Sequence, residues 1–528
     1  MEGKVFYRGA ISELVPEAER RELPVQLLAL TRKELVRPDR SEFAGEEAYR
    51  FRHLLIRDAA YQAMPKATRA ELHARFADWL GRVAGDRLAE YEEIIAYHLE
   101  QGYRYRAELG PPDAQAAELA EAAARRLTNA GIRARLRRDM HAATNLLGRA
   151  SRLLDARDPD LPRVLAYLGD ALWEAADYPE AERVLSEAFE LAQGLHDERW
   201  AARAELSLLE LRNSSQHLED TQVGPRLQVL TAELARLDDE EGRREAVEFG
   251  GFRLFALGHA QQAGELLDTI TTESGDVTSS RGLFSSVLYW GPTPVAEGIA
   301  RIQAILDRSG PDPVLEHLLF RGLGALHGLM GSFERGRELL ERSRSLGLEL
   351  GMRFRAEGVK GHFLGPLERL AGNLERAAEL ERDAYEGMTA AGDQAFASTA
   401  AGELALTLIE MGRFDEAEQY ARIATETASE DDFVSQAMSR AAMARILASG
   451  GAIEKAEAGA REAVRLVDAS DYLTYQGEMQ LHLASVLNEA DRRDEAEDAV
   501  QRAIGRFEAK GAAAWVARAR AWLPPRAA

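Results

Sequence analysis

The run Gly322-Leu323-Gly324-Ala325-Leu326-His327-Gly328 is the stretch of this sequence that comes nearest to a phosphate-binding turn. Such a turn needs a preceding strand and a βαβ unit, which set a pyrophosphate against a helix N-terminus. Neither surrounds these glycines, and Gly324 falls instead in a small-residue slot that Gly169 and Ala405 also occupy. Helix-on-helix packing accounts for the run. The 11 histidines contain no His-x-x-x-His pair and no His-Glu-x-x-His, the spacings that bring two imidazoles onto one helical face around zinc. The acidic runs Asp238–Glu241 and Glu430–Asp432 lack the alternating ligands of a calcium loop and read as solvated turns. Cysteine is absent, which excludes disulfides and thiolate nucleophiles. No Gly-x-x-x-x-Gly-Lys-Ser/Thr occurs, so the backbone cradle and lysine that hold a nucleotide's phosphates are missing. With no convergent nucleophile–base pair, no catalytic residue, cofactor site or metal site is expected, and the chain reads as a binding protein.

The elements that would position binding residues are helices. Of the 528 residues, 46% are hydrophobic, 29% charged and only 7% aromatic. Ala, Leu, Glu and Arg dominate, and these lose little rotamer freedom in a helix. A formal net charge of -22 opposes binding to nucleic acid or anionic membrane. Basic residues are nearly all Arg, with six lysines in the whole chain. The densest basic patch is Arg125, Arg126, Arg133, Arg135, Arg137 and Arg138. It reads as a solvated helix face, with contact to an acidic partner or phosphate as the alternative. Met1 to Phe6 lack the apolar core of a signal peptide, and no stretch approaches the roughly 18 apolar residues of a membrane span. A cytoplasmic location is expected.

A short phrase returns along the chain: a small or turn residue, an apolar residue two later, and Ala or Gly three beyond that. It reads Gly412…Phe414…Ala417, and earlier Ala176…Tyr178…Ala181. The closing residues fall at 143, 181, 263, 298, 336, 377, 417, 456 and 496, with one degenerate copy expected near Gly224-Pro225. In the clearest copies a leucine–small–x–x–leucine set stands before the turn, as in Leu168-Gly169-x-x-Leu172 and Leu404-Ala405-x-x-Leu408. After it come apolar residues such as Ala181, Leu185 and Ala188. Spacings of three and four place each set on one helical face. One hairpin cannot bury its apolar face alone, so neighbours must stack into a superhelix.

These features resemble tetratricopeptide (TPR) repeats, in units longer than the usual roughly 34 residues. The expected fold is all-α: about ten TPR-like hairpins over 131–528, a helical bridge over 81–130, and a partial winged-helix region over 1–80. In the last, helix Glu22–Leu35 and helix Leu54–Ala63 flank two short strands, near Val36–Arg40 and Tyr49–His53. A break is expected at Gly110-Pro111-Pro112-Asp113. The run Tyr49-Arg50-Phe51-Arg52-His53-Leu54-Leu55-Ile56-Arg57-Asp58-Ala59-Ala60-Tyr61 is similar to a segment of STAND-type signalling ATPases. In those proteins a P-loop domain precedes a winged helix and a TPR arm, and some carry a class III adenylate/guanylate cyclase or a LuxR-type DNA-binding domain. The resemblance implies the C-terminal half of such a regulator, truncated or separately encoded, without its P-loop and cyclase domains.

It also implies a sensor arm. In TPR folds the first helix of each pair lines the concave groove, and Trp173, Phe255, Trp290 and Arg369 share one position on those helices. Aromatics and Arg there suit capture of a protein or peptide; packing between repeats is the alternative for the same residues. A small-molecule inducer is the second kind of ligand, and neither nucleic acid nor membrane is an expected partner. A free-standing TPR adaptor or peptide receptor, with no ATPase partner domain, is the competing function.

Overall fold

The computed structural model describes residues 4–111, 113–216, 218, 220–271 and 278–523; Pro112 of the expected break lies outside them. Two compact units divide the chain, residues 1–168 and 169–528.

The first unit opens with a three-stranded antiparallel sheet in the order β1 (Val5–Tyr7), β3 (Ala48–Phe51), β2 (Val36–Asp39). Tyr49 pairs with Phe6 on one side and Pro38 on the other. Pro38 can stand there because β2 is an edge strand, where a missing N–H costs no ladder bond. The helices α1 (Arg8–Leu14), α2 (Leu23–Arg32) and α3 (Leu54–Ala63) flank this sheet in sequence. Phe6, Leu23, Leu27 and Val36 form its small core. Helices α4 (Lys66–Ala84), α5 (Leu88–Ala107), α6 (Ala114–Leu136) and α7 (Met140–Ser151) follow. Asp113 starts α6 by accepting a hydrogen bond from the Ala116 N–H at 2.7 Å, which satisfies one orphan donor of the first turn. Part of the basic patch is paired rather than simply solvated: the partly exposed Arg126 and Arg133 both pair with Glu92, whose side chain is 5% exposed.

From α6 onward the described residues form ten helix pairs. After α8 (Leu161–Glu174) and α9 (Tyr178–Gly194) come α10 (Glu198–Gln216) with α11 (Asp220–Arg236), and α12 (Glu240–Ala256) with α13 (Ala260–Thr271). Next are α14 (Thr278–Trp290) with α15 (Val295–Ser309), and α16 (Pro313–Leu329) with α17 (Phe333–Glu349). The seventh pair joins α18 (Arg353–Val359) through a π turn, Lys360–Leu364, to α19 (Gly365–Leu370), followed by α20 (Leu374–Ala391). The last three are α21 (Gln394–Glu410) with α22 (Phe414–Thr427), α23 (Phe433–Ser449) with α24 (Ile453–Asp468), and α25 (Leu473–Glu489) with α26 (Arg493–Lys510); α27 (Ala513–Trp522) ends the run. Each closing residue of the sequence phrase is the fourth residue of a second helix, and the degenerate copy is α11, with Val223 in that place. The residue five before the closing one adopts the left-handed conformation at Gly258, Gly331, Gly372, Gly412 and Gly451, with φ between 72° and 89°. Glycine reaches this helix-ending conformation without a Cβ penalty; Arg138, Ala176 and Asp491 occupy it despite theirs.

The small-residue slot is a contact, not a fingerprint. A Cβ on Gly251 would stand 2.9 Å from Leu267, and one on Gly324 would stand 2.8 Å from both Leu340 and the Gly336 carbonyl. At Gly169 a Cβ would overlap Leu185, which is fully buried. Gly169→Leu should therefore force this hairpin apart and cost about 1–3 kcal/mol. Urea unfolding monitored by circular dichroism measures it, and an unchanged midpoint would contradict the slot.

Within residues 169–528 the superhelix closes on itself one turn later. Tyr178 donates to Asp393 at 2.9 Å, Asp471 accepts from the Ala260 and Gln261 N–H groups at 3.0 and 2.8 Å, and Lys510 reaches the carbonyls that end α14. The separations, 210 to 222 residues, put roughly five repeats in a turn, since each repeat touches its neighbours and rotates by a fixed amount. The acidic turn at Asp238–Glu241 is not simply solvated: Asp239 is 7% exposed and holds Arg203 at 2.6 and 2.8 Å. No helix among the described residues is long and apolar enough to cross a membrane.

Candidate binding chamber

First helices of successive pairs supply the interior of the second unit. Asn213 on α10, Phe252 and Phe255 on α12, Trp290 at the end of α14, His362 in the π turn and Phe396 on α21 line both lobes of one chamber. The lobes have volumes of about 150 and 180 Å³. The larger adds Trp173, Glu210, Glu248, Arg321 and Arg355; the smaller is edged by Asp431, Asp432, Tyr472 and Tyr475. Turn-to-turn packing walls it: Phe255 and Trp290 meet at 5.5 Å with their rings tilted by 60°, and Phe255 lies 5.5 Å from Tyr472 of the next turn.

Three of the residues singled out in the sequence, Trp173, Phe255 and Trp290, therefore meet around one space. Arg369 does not join them. It is 2% exposed, its Nη2 donates to Glu403 at 2.7 Å, and its Nη1 pairs with Glu478 and with Glu410 at 3.5 Å. Its charge is engaged inside the protein, beside a separate cleft of about 30 Å³.

The charged lining comes in compensated and uncompensated parts. Arg355 pairs with Glu174 at 3.2 Å, and Arg253 holds Asn213 at 2.8 Å and Asp220 at 3.0 Å. Glu248 accepts from the Ser280 hydroxyl at 3.1 Å. Burial raises the Glu210 carboxyl well above its usual range, and the carboxylates of Glu248, Asp170, Glu245 and Glu174 push the same way. Arg321 is different: burial, with Arg355 beside it, lowers its guanidinium to about 9. Burial likewise holds His362 down to about 4, with Arg321 adding to the effect, so its imidazole is neutral at pH 7.

Phe252 was legible, since it stands three residues ahead of Phe255 on the same helical face. Arg321, Arg355 and His362 were not. The π turn holds His362 and shifts the facing of Arg369 beyond it, a local unwinding without a composition signal, while Arg321 and Arg355 lie before it at helix positions that the repeat phrase does not mark. Elsewhere, His73 and His98 share a 2.8 Å hydrogen bond, and Tyr61 bonds His73 at 2.8 Å. Burial keeps both imidazoles neutral, at about 4 and 3. Nor do these residues contain a cluster of three or more side chains able to hold a metal ion.

No family model matches the chain, and no curated protein matches it. Among solved structures it is similar to a chain of the APC/C hetero-tetramer Cut9–Hcn1, at a TM-score of 0.50 and 13% identity, covering 89% of this chain and 93% of that one. That likeness establishes a TPR-like helical-repeat fold. Looser matches include NprR in complex with its cognate peptide NprX, at a TM-score of 0.37 and 18% identity over 49% of this chain and 79% of that one. Another is Rap protein complexed with competence and sporulation factor, at 0.37 and 12% over 68% and 96%.

Proposed function

We propose that this chain is the binding arm of a bacterial signalling or transcriptional regulator, and that it captures a short peptide or a small ligand in the interior chamber. The observation that carries the reading is the convergence of Trp173, Phe252, Phe255, Trp290 and Phe396, from helices far apart in sequence, on one concave space. Pockets that bind ligands are concave, mainly apolar, and set with a few fixed polar groups, which describes this chamber. A folded domain does not fit lobes of about 150 and 180 Å³, so a protein partner would enter through a peptide segment. The likeness of Tyr49–Tyr61 to STAND-type regulators supports the regulatory role. With no phosphate cradle in the sequence, neither ATP hydrolysis nor cyclic-nucleotide synthesis is expected of the chain.

The test is native mass spectrometry of the purified protein for co-purifying peptides or small molecules, followed by affinity measurements on Trp173→Ala and Trp290→Ala. Each substitution should weaken binding by about 2 kcal/mol, the scale of a buried tryptophan anchor, with helical content unchanged by circular dichroism. Undiminished binding in both variants would refute the chamber as the site. Loss of helicity would show instead that these tryptophans hold repeats together.

A further inference from the structure

We infer that the chamber takes the carboxylate of an organic acid at Arg321, with the acid's apolar or aromatic body lying among Phe252, Trp290 and Phe396. The inference rests on the chamber being the binding site and names its ligand chemistry. Three guanidinium groups line the two lobes. Arg253 has Asp220 and Arg355 has Glu174. Arg321 has no carboxylate within ion-pair distance among the described residues. Its single hydrogen bond runs from Nη2 to the Gly282 carbonyl at 3.1 Å, and its buried Nε has no partner. Glu210 lines the same lobe, but burial among other carboxylates favours its neutral, protonated form. A second group points the same way. His362 lines both lobes, is 7% exposed, and its Nε2 has no hydrogen-bond partner.

A buried cation without a counter-charge is unfavourable, and an anion supplied by a ligand relieves it. Guanidinium meets carboxylate through charge-assisted hydrogen bonds, stronger than neutral ones. A neutral imidazole with an open Nε2 adds either a donor or an acceptor, according to its tautomer. The walls favour a carboxylate over a phosphate. One uncompensated guanidinium matches one negative charge, and the aromatic rings of Trp173, Phe252, Phe255, Trp290 and Phe396 in the lining suit an apolar body.

The probes are 3-phenylpropionate, its neutral amide and 3-phenylpropylamine. They share one apolar body and differ in charge. Binding is followed by quenching of tryptophan emission and by ligand-observed saturation-transfer NMR on the full chain. The acid should bind at least tenfold more tightly than the amide, and the amine least. Arg321→Met should abolish that preference while leaving amide binding within twofold of wild type, and Arg321→Lys should keep part of it. Without ligand, Arg321→Met should melt at the same temperature as wild type or higher, because it removes an unpaired, partly buried charge; a variant merely damaged in folding would melt lower. Equal binding of acid and amide to wild type, or a preference that survives in Arg321→Met, would overturn the Arg321 assignment and leave the chamber as a binding site. Failure of all three probes to bind would overturn the chamber reading together with it.

Discussion

Arg369→Met is expected to destabilise the second unit by about 3–5 kcal/mol, the scale for removing one partner of a buried ion pair. Arg369 neutralises a knot of three acids from two helices: Glu403 and Glu410 on α21 and Glu478 on α25, with Tyr475 also donating to Glu403 at 3.0 Å. Glu403 is 2% exposed and Glu478 is 4% exposed. Burial raises the Glu403 carboxyl even with the arginine present, against the pull of Arg369 itself. Without that cation the pKa rises further. A carboxyl whose folded pKa lies above its unfolded value near 4.3 holds more protons in the native state across that interval. Stability then falls as pH rises through it and recovers as pH falls. The deficit of Arg369→Met should therefore shrink between pH 8 and pH 5. Paired urea titrations of variant and wild type at the two pH values measure it. A deficit below about 1 kcal/mol, the scale of an exposed ion pair, or one that does not change with pH, would show that Arg369 is not neutralising these acids.

A loss of similar size is expected for Lys510→Met. The last residue of α26 is fully buried, and its Nζ donates to the carbonyls of Leu288, Gly291 and Thr293 at 2.8, 2.6 and 2.7 Å. An ammonium has three donors on one compact centre, which these three converging acceptors match. This is one of only six lysines in a chain that otherwise uses arginine, and a planar guanidinium would not fit the same point. Methionine fills the space but leaves buried carbonyls short of a donor, at about 1–3 kcal/mol for each group left unsatisfied. We expect a total near 3–5 kcal/mol, since such losses are not additive. The acceptors flank Trp290, so the variant should also shift tryptophan emission and weaken any ligand that Trp290 contacts. Denaturation followed by fluorescence tests both effects. A stability change under about 0.5 kcal/mol, the range of an ordinary surface substitution, would remove Lys510 from the closure of the superhelical turn.

The repeats were legible because their physics is local and recurs. A left-handed residue such as Gly412 ends one helix, an apolar residue such as Phe414 begins the next, and a small residue such as Ala417 lets the two pack closely; each step depends on its near neighbours in sequence. Even the degenerate copy could be placed by interval alone, although Val223 stands where the others have Ala or Gly. The same regularity put Trp173, Phe255, Trp290 and Arg369 at one position of their repeats. It could not separate their environments. Three of them line a chamber, while Arg369 is sealed against Glu403 of the next repeat and Glu478 of the third repeat on. What separates them is curvature. A small rotation per repeat accumulates until helices about 210 residues apart touch. That sum is set by every interface along the way and, at the seventh pair, by a π turn. The sequence by itself determined the unit, its helices and their apolar faces; the winding of the whole decided which side chains line a common space and left Arg321 there with no ion-pair partner among the described residues.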